Sequence, residues 1–405
     1  MKTSAIVLFS ILLVPQFYVY PFFNSSTEYA IKLGFRALML GVIIIDIFLF
    51  SLRRLPSPSK ASIYSLYATA LIAVISTIYS PDPITTGIRA ADLISFIIMA
   101  LYFCSIIRTT EELALFIEYV IYIYLGGFFL LAFLSDETIW RAMGQDGIKR
   151  LGGYIINPNI FAYSLLLLLA AQIHVMRKRN ILLILMFFSI EILAFYLCYS
   201  RSATLALIVS LIFVLRPSSI GAQSVLLLTK TSMVLFLIFS SGYILRFFER
   251  GHGIENLTSL GGRTDVWTVI INQSQFGINI LWGFGYQMLS SDGLTSSDGD
   301  ISITMAHSNF IQTFLGLGII GFILLVIFWI DALRVAYDYK NRTRETQNFL
   351  RISSLLVLFY SIVEYGVFGP PTIISPLFLT ILIHSSQSYL NISTILHRSK
   401  NVSVF

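Results

Sequence analysis

The sequence predicts an all-α, polytopic transmembrane bundle of about twelve helices with one large extracytoplasmic loop that contains short in-plane helices. Three observations predict it. Hydrophobic residues make up 56% of the 405 residues and charged residues only 12%, with a mean hydropathy of +0.81, which is far more apolar than a soluble globular protein. The apolar residues gather into runs of about 15 to 22, enough for a helix to cross a hydrocarbon core of about 30 Å. Basic residues favour alternate connections between those runs.

The runs fall at 5–23, 35–51, 61–79, 91–107, 113–134, 160–176, 181–199, 203–215, 225–245, 310–330, 349–368 and 374–390. The run at 203–215 is short, so its helix is expected to begin inside Ser200-Arg201-Ser202. No small-residue cleavage pattern precedes Asn24-Ser25-Ser26, so the first run is expected to be a retained helix rather than a cleaved signal. The whole of 1–405 is expected to form one integral-membrane domain, with 246–309 as its one long polar loop. Within that loop Val266 to Ile280 is amphipathic and suits an in-plane helix.

Orientation follows from charge. Arg53, Arg54 and Lys60, then Arg108, Arg177-Lys178-Arg179, Arg216, the cluster Arg334, Lys340, Arg342, Arg344 and Arg351, and the terminal Arg398 and Lys400 all fall on one side. The positive-inside bias makes that side cytoplasmic and the 246–309 loop extracytoplasmic. The net charge of +6 comes largely from these anchors, and no nucleic-acid partner is implied. Cys104 and Cys198 lie in predicted helices without metal or redox spacing. Gly251, Gly253, Gly261 and Gly262 neither follow a strand nor lead into a Lys-Ser/Thr signature, so no nucleotide loop is present. No internal repeat or matching pair of interrupted helices suggests a secondary transporter. Asp292, Asp298 and Asp300 sit in a Gly/Ser-rich stretch that reads as a mobile loop, so neither a required metal nor a cofactor is expected.

Three polar segments interrupt the pattern on the outer side. The first, about 135–159, carries Arg141, Lys149, Arg150, Gly152-Gly153 and Asn157-Pro158-Asn159. Asn157 to Asn159 suits a turn that caps the next helix, and the basic cluster is a candidate auxiliary phosphate contact. The second is Tyr199-Ser200-Arg201-Ser202, where an arginine between apolar helices is costly unless it reaches water or an anion. Arg201 therefore either snorkels to headgroups or serves as a fixed cation for a phosphate-bearing lipid. The third holds Gly261-Gly262-Arg263-Thr264-Asp265-Val266-Trp267, Gly283-Phe284-Gly285-Tyr286 and Ala306-His307-Ser308-Asn309. Arg263 can offer forked donors to a pyrophosphate at a helix start, or it can pair with Asp265 or Glu255. His307 places an imidazole, a side chain suited to general acid–base work, where the loop meets the next apolar helix. Gly316, Gly318 and Gly321 are expected to let that helix pack closely against a neighbour.

In order and spacing these pieces resemble the O-antigen ligase and polymerase superfamily. They are Ser200-Arg201 before a small-residue helix start, Gly262-Arg263-x-x-x-Trp267, Gly283-x-Gly285, and His307-Ser308 followed after nine residues by Gly318-x-x-Gly321. The similarity covers roughly 141–321. It implies a metal-independent, inverting glycan transferase of the bacterial inner membrane, acting at the periplasmic face on an undecaprenyl-diphosphate-linked donor. Arg201 and Arg263 would bind and neutralise the donor pyrophosphate, and His307 would orient or deprotonate the acceptor hydroxyl. Arg141, Lys149, Arg150, Trp267, Ser308 and Asn309 would contribute to substrate binding. The implied partners are the donor, a glycan or lipid A-core acceptor, membrane lipids and, as a further candidate, a polysaccharide chain-length regulator. The form Gly262-Arg263-Thr264-x-x-Trp267 with Gly283-Phe284-Gly285-Tyr286 is slightly closer to polymerases than to ligases. A lipid-linked oligosaccharide flippase or a non-catalytic scaffold are readings of other classes. A flippase would need a cationic cavity through the membrane, whereas these cations cluster on one face and the central helices offer acidic residues such as Asp46 and Glu191.

Overall fold

The computed structural model describes residues 10–18, 25–49, 61–107, 109–134, 139–143, 148–175, 181–214, 267–268, 279–287, 294–295, 302–303, 306–337, 343–364, 368 and 372–384. In chain order the helices are α1 (Ser25–Leu49), α2 (Ala61–Ile75), α3 (Pro83–Ile106), α4 (Thr110–Leu134), α5 (Pro158–Val175), α6 (Ile181–Leu197), α7 (Arg201–Val214), the single turn α8 (Asn279–Trp282), α9 (Asn309–Tyr337), α10 (Arg344–Val363) and α11 (Ile374–His384). Two short antiparallel ladders accompany them among the described residues: β1 (Trp140–Met143) with β2 (Ile148–Leu151), and β3 (Leu294–Thr295) with β4 (Ser302–Ile303). The helical class expected from the sequence stands. Among the described residues, six segments, Ala61–Ile78, Pro83–Ile106, Thr110–Leu134, Pro158–Val175, Asn309–Tyr337 and Arg344–Val363, are long and apolar enough to cross a membrane, and Met186–Leu197, Arg201–Ser210 and Ile374–His384 are shorter apolar helices. The expected run at 225–245 and most of the 246–309 loop lie outside the described residues.

Helix starts follow local capping rather than the first apolar residue. α3 begins eight residues before the apolar run at 91–107, because Asp82 accepts from Thr85 N at 3.0 Å and Pro83 supplies the first helical φ. Thr109 and Glu112 form a reciprocal capping box ahead of α4, at 3.1 and 3.2 Å. Asn157 accepts from Asn159 N at 2.8 Å and Pro158 opens α5, as the sequence suggested. Ser200 starts α7, its backbone carbonyl accepting from Thr204 N at 3.0 Å. The apolar run at 5–23 is not one straight helix over its described part. A 3₁₀ turn, Val14–Phe17, forms around Pro15, and Tyr18 is extended with φ −84° and ψ 152°.

α10 packs against α5, α7 and α9, and α9 packs along α2. α2 and α9 run antiparallel. Near the start of α2, Ser62 N donates to Asp331 Oδ2 at 2.9 Å, and beyond its end Tyr79 OH donates to Trp282 O at 2.6 Å. Tyr286 N donates to Ser76 Oγ at 3.0 Å, and Tyr286 OH donates to Phe368 O at 3.1 Å. One end of the bundle therefore collects the segments around Ser76–Thr86, 157–159, 198–201, 283–287 and 306–309 together with Glu364 and Phe368. These include every polar motif picked out on the outer side for which side chains are described.

α9 departs from the unbroken helix expected at 310–330. Gly318 has φ 64° and ψ −162° inside it, a conformation open essentially to glycine alone. The break removes helical partners from nearby carbonyls, and the loop supplies replacements: Phe284 N donates to Leu315 O and Gly285 N to Gly316 O, each at 2.9 Å. The approach is so close that a Cβ on Gly318 would overlap the Leu281 carbonyl and one on Gly283 would overlap the Gly316 carbonyl. The glycines do permit close packing, but for Gly316 and Gly318 the neighbour is the 281–287 segment. A Cβ on Gly321 would meet its own helix's Leu317.

Replacing Gly318 with Ala combines a forbidden φ with that overlap and should cost about 2–4 kcal/mol. Around Gly34 and Gly41 of α1, a Cβ would meet no heavy atom within 4 Å, so Ala there should be neutral or slightly stabilising. Thermal denaturation in detergent should separate the two classes of variant, and equal melting temperatures would contradict the docking of 281–287 on the break.

Candidate functional site

His307 occupies the residue pair that leads into α9. Its φ is 47°, a left-handed conformation unusual for a non-glycine residue and costing about 1–3 kcal/mol. The surroundings hold it there. Trp267 of the large loop donates its indole N–H to Ala306 O at 2.6 Å, and Ala306 N donates to Gln312 Oε1 at 3.2 Å. His307 Nδ1 is buried and stands 3.7 Å from Glu364 Oε2, while the side chain as a whole is 40% exposed. The exposed surface of the ring thus lies on its other atoms.

Glu364 is the C-cap of α10 and is 1% exposed. Its Oε1 accepts from Asn159 Nδ2 at 2.6 Å. Asn159 Oδ1 in turn accepts from Arg150 Nη2 at 2.7 Å and from Ser200 Oγ at 3.0 Å, and Arg150 Nε donates to Cys198 O at 2.8 Å. Arg150 is 3% exposed, so its guanidinium braces the β2 strand, the start of α5 and the α6–α7 turn together. This polar chain brings the turn carrying Arg201 and the segment carrying His307 into one cluster. Arg201 itself is the first residue of α7 and is partly exposed. Its charge stands at the positive end of that helix's dipole, where anions are favoured.

The other expected site residues divide by position. Lys149 is exposed and alternates with inward Arg150 along β2. Arg141 faces Arg150 in the register of the β1–β2 ladder, and its side chain lies outside the described residues. Arg263 also lies outside them. Trp267 is partly buried and tied to the residue before His307. Ser308 and Asn309 are buried at 4% and 0%, and neither polar atom of the Asn309 amide has a hydrogen-bond partner among the described residues. Such a group costs about 1–3 kcal/mol if left unmet. Behind the cluster, burial pushes the Tyr286 phenol above its usual range, which keeps it a neutral donor to Phe368 O.

Sequence reasoning missed two groups. Glu364 stands in the apolar run 349–368, and a carboxylate in such a run is itself a signal. Arg36 of α1 forms a buried ion pair with Asp92 of α3, with Arg89 3.8 Å from the same carboxylate and the Arg36 guanidinium 5.3 Å from the centre of the Phe96 ring. Both arginines fall in or near stretches that the hydropathy pattern merged into spans or loops, so only their sign and spacing on two helices could have pointed to them.

A family model described as O-antigen ligase matches residues 181–326. Over that segment the chain is similar to this family, which supports the resemblance to the O-antigen ligase and polymerase superfamily. No curated protein matches it. The matched segment includes Arg201, Arg263, Trp267, His307 and the break at Gly318, whereas Arg150, Asn159 and Glu364 lie outside it. Members of that family are glycosyltransferase-like enzymes whose substrates are a lipid-linked glycan and an acceptor. The similarity gives no support to a flippase.

An ammonium at position 150 cannot reach Cys198 O and Asn159 Oδ1 together, so Arg150→Lys should lose about 2–3 kcal/mol of stability. Chemical or thermal unfolding measures this, and wild-type stability would show that the bracing role is unimportant.

Proposed function

We propose that this protein is a metal-independent, inverting glycan transferase that uses an undecaprenyl-diphosphate-linked oligosaccharide at the periplasmic face of a bacterial inner membrane. The observation that carries the reading is the polar chain Glu364–Asn159–Ser200, which gathers the His307 segment and the Arg201 helix start, both within the family segment, at one end of the bundle. The basic clusters at 177–179 and 334–351 favour placing that end outside the cytoplasm.

In the proposed reaction the acceptor hydroxyl oxygen attacks the anomeric carbon of the donor from the face opposite the diphosphate. The new glycosidic bond forms as the carbon–oxygen bond to phosphate breaks, and the diphosphate leaves with the electron pair. His307 Nε2 takes the hydroxyl proton and later releases it to water. Arg201 and Arg263 stabilise the charge that develops on the departing phosphate, and forked guanidiniums can replace a metal ion in that role. Arg141 and Lys149 are auxiliary phosphate contacts, and Asn309, whose buried amide has no partner among the described residues, is a candidate contact for an acceptor or donor sugar. Arg150 and Trp267 act through position, as braces of Asn159 and of Ala306, the residue before His307.

Joining repeat units into a longer chain is the favoured step, on the motif form around Gly262 and Gly283. Transfer to lipid A-core is the second reading, favoured by the description of the matching family. Surface-polysaccharide gels of a deletion strain separate them. A polymerase leaves one repeat unit attached to lipid A-core. A ligase leaves none, and lipid-linked chains accumulate.

With purified protein in nanodiscs, His307→Ala should lower the catalytic rate by about 10²-fold or more while donor binding survives. Arg201→Lys and Arg263→Lys keep the charge but lose the fork, so activity should fall substantially in both. A chelator should have no effect. Near-normal turnover by His307→Ala would remove the imidazole from the chemistry, and abolition by chelator would show that the metal-free route is wrong.

A further inference from the structure

The geometry points to Glu364 as the positioning residue of this site. We infer that its carboxylate receives a proton-bearing Nδ1 of His307 and so leaves the Nε2 lone pair for the acceptor hydroxyl. The inference rests on the proposed role of His307 and extends it to a residue outside the matched family segment.

The two side chains are already arranged for this. His307 Nδ1 is the buried side of the ring, and Glu364 Oε2 is 3.7 Å away, outside hydrogen-bond range but within reach of a small shift. Such contacts are often long without substrate and tighten when the reacting groups assemble. Glu364 is aimed by its neighbours: its backbone N–H donates to Tyr360 O at 2.7 Å, and Asn159 Nδ2 holds Oε1 at 2.6 Å. The remaining oxygen is thereby turned toward the imidazole. Asn159 is in turn fixed by Arg150 and Ser200, so the chain that seats the phosphate-side helix start also sets the orientation of the base.

A purely architectural role does not account for the charge. A carboxylate 1% exposed in an apolar bundle carries a large desolvation penalty, and a glutamine would accept the Asn159 hydrogen bond through the same Oε1 position at lower cost. What glutamine cannot supply is a fixed negative charge beside Nδ1. That charge selects the tautomer, resists rotation of a ring held at an unfavourable φ, and stabilises the imidazolium formed when Nε2 takes the hydroxyl proton.

The test combines kinetics with a spectroscopic readout of the wild-type protein. Glu364→Gln keeps the acceptor for Asn159, and it should lower kcat by about 10-fold or more with donor KM nearly unchanged. In the His307→Ala background the same substitution should bring little further loss, because its effect passes through the imidazole. In the wild-type protein, nitrogen NMR of 15N-histidine-labelled material should show the neutral form of His307, assigned by its absence in His307→Ala, with the proton on Nδ1. A wild-type kcat in Glu364→Gln beside an impaired His307→Ala would overturn this inference and leave the proposed function standing, whereas a neutral ring protonated on Nε2 would overturn it together with the assignment of Nε2 as the base. Normal turnover by His307→Ala would overturn both.

Discussion

The side-chain amide of Asn159 is the point on which the site depends. Its oxygen accepts from Arg150 and Ser200 and its nitrogen donates to Glu364, so one group in the first turn of α5 joins β2, the α6–α7 turn and the end of α10. In an apolar bundle these helices have little reason to choose one rotation over another, since lipid and protein interior are similarly apolar. A buried polar network that is satisfied only in one arrangement supplies that choice. It also couples the two halves of the proposed chemistry, because the segment that carries Arg201 and the carboxylate that faces His307 share the same amide.

The second constraint is backbone against backbone. Once Gly318 breaks α9, the carbonyls of Leu315 and Gly316 are met by Phe284 and Gly285 of the large loop. The positive-φ residues among those described, Tyr199, Gln287 and His307 with Gly152, Gly153, Gly283, Gly285 and Gly318, all belong to segments of this polar end or to the break on which its loop docks. Strain of this kind persists where surrounding structure over-determines it. Here the surroundings are the Trp267–Ala306 and Ala306–Gln312 hydrogen bonds and the docked 283–287 segment. They hold His307 by the loop on one side and by the start of α9 on the other.

Much of this was legible in the sequence, for identifiable reasons. The long apolar runs gave the helical class because a membrane imposes a length and a composition. Ser200-Arg201, His307 and the glycine pairs stood out because polar or breaking residues are rare in such a chain. Asn157-Pro158-Asn159 was readable as a cap, but the use of the Asn159 side chain was not, since its partners lie 9, 41 and 205 residues away. Arg150 read as one of a basic cluster, yet it is buried as a brace. Alternation along a strand separates it from exposed Lys149, and the strand itself carried little periodic signal. The break at Gly318 was hidden inside an apolar run whose hydropathy is indifferent to φ. Helix starts at Pro83 and Arg344 were missed because hydropathy weighs apolar residues and ignores caps.

We propose that this cluster moves a glycan from a lipid diphosphate to a hydroxyl. The most direct measurement is of products formed by the wild-type protein reconstituted alone with a defined polyprenyl-diphosphate oligosaccharide and an acceptor. Free polyprenyl diphosphate is expected in equal amount to the new glycosidic bond, with an inverted anomeric configuration seen by NMR. Retention of configuration, or movement of intact lipid-linked glycan across the bilayer without release of polyprenyl diphosphate, would contradict it.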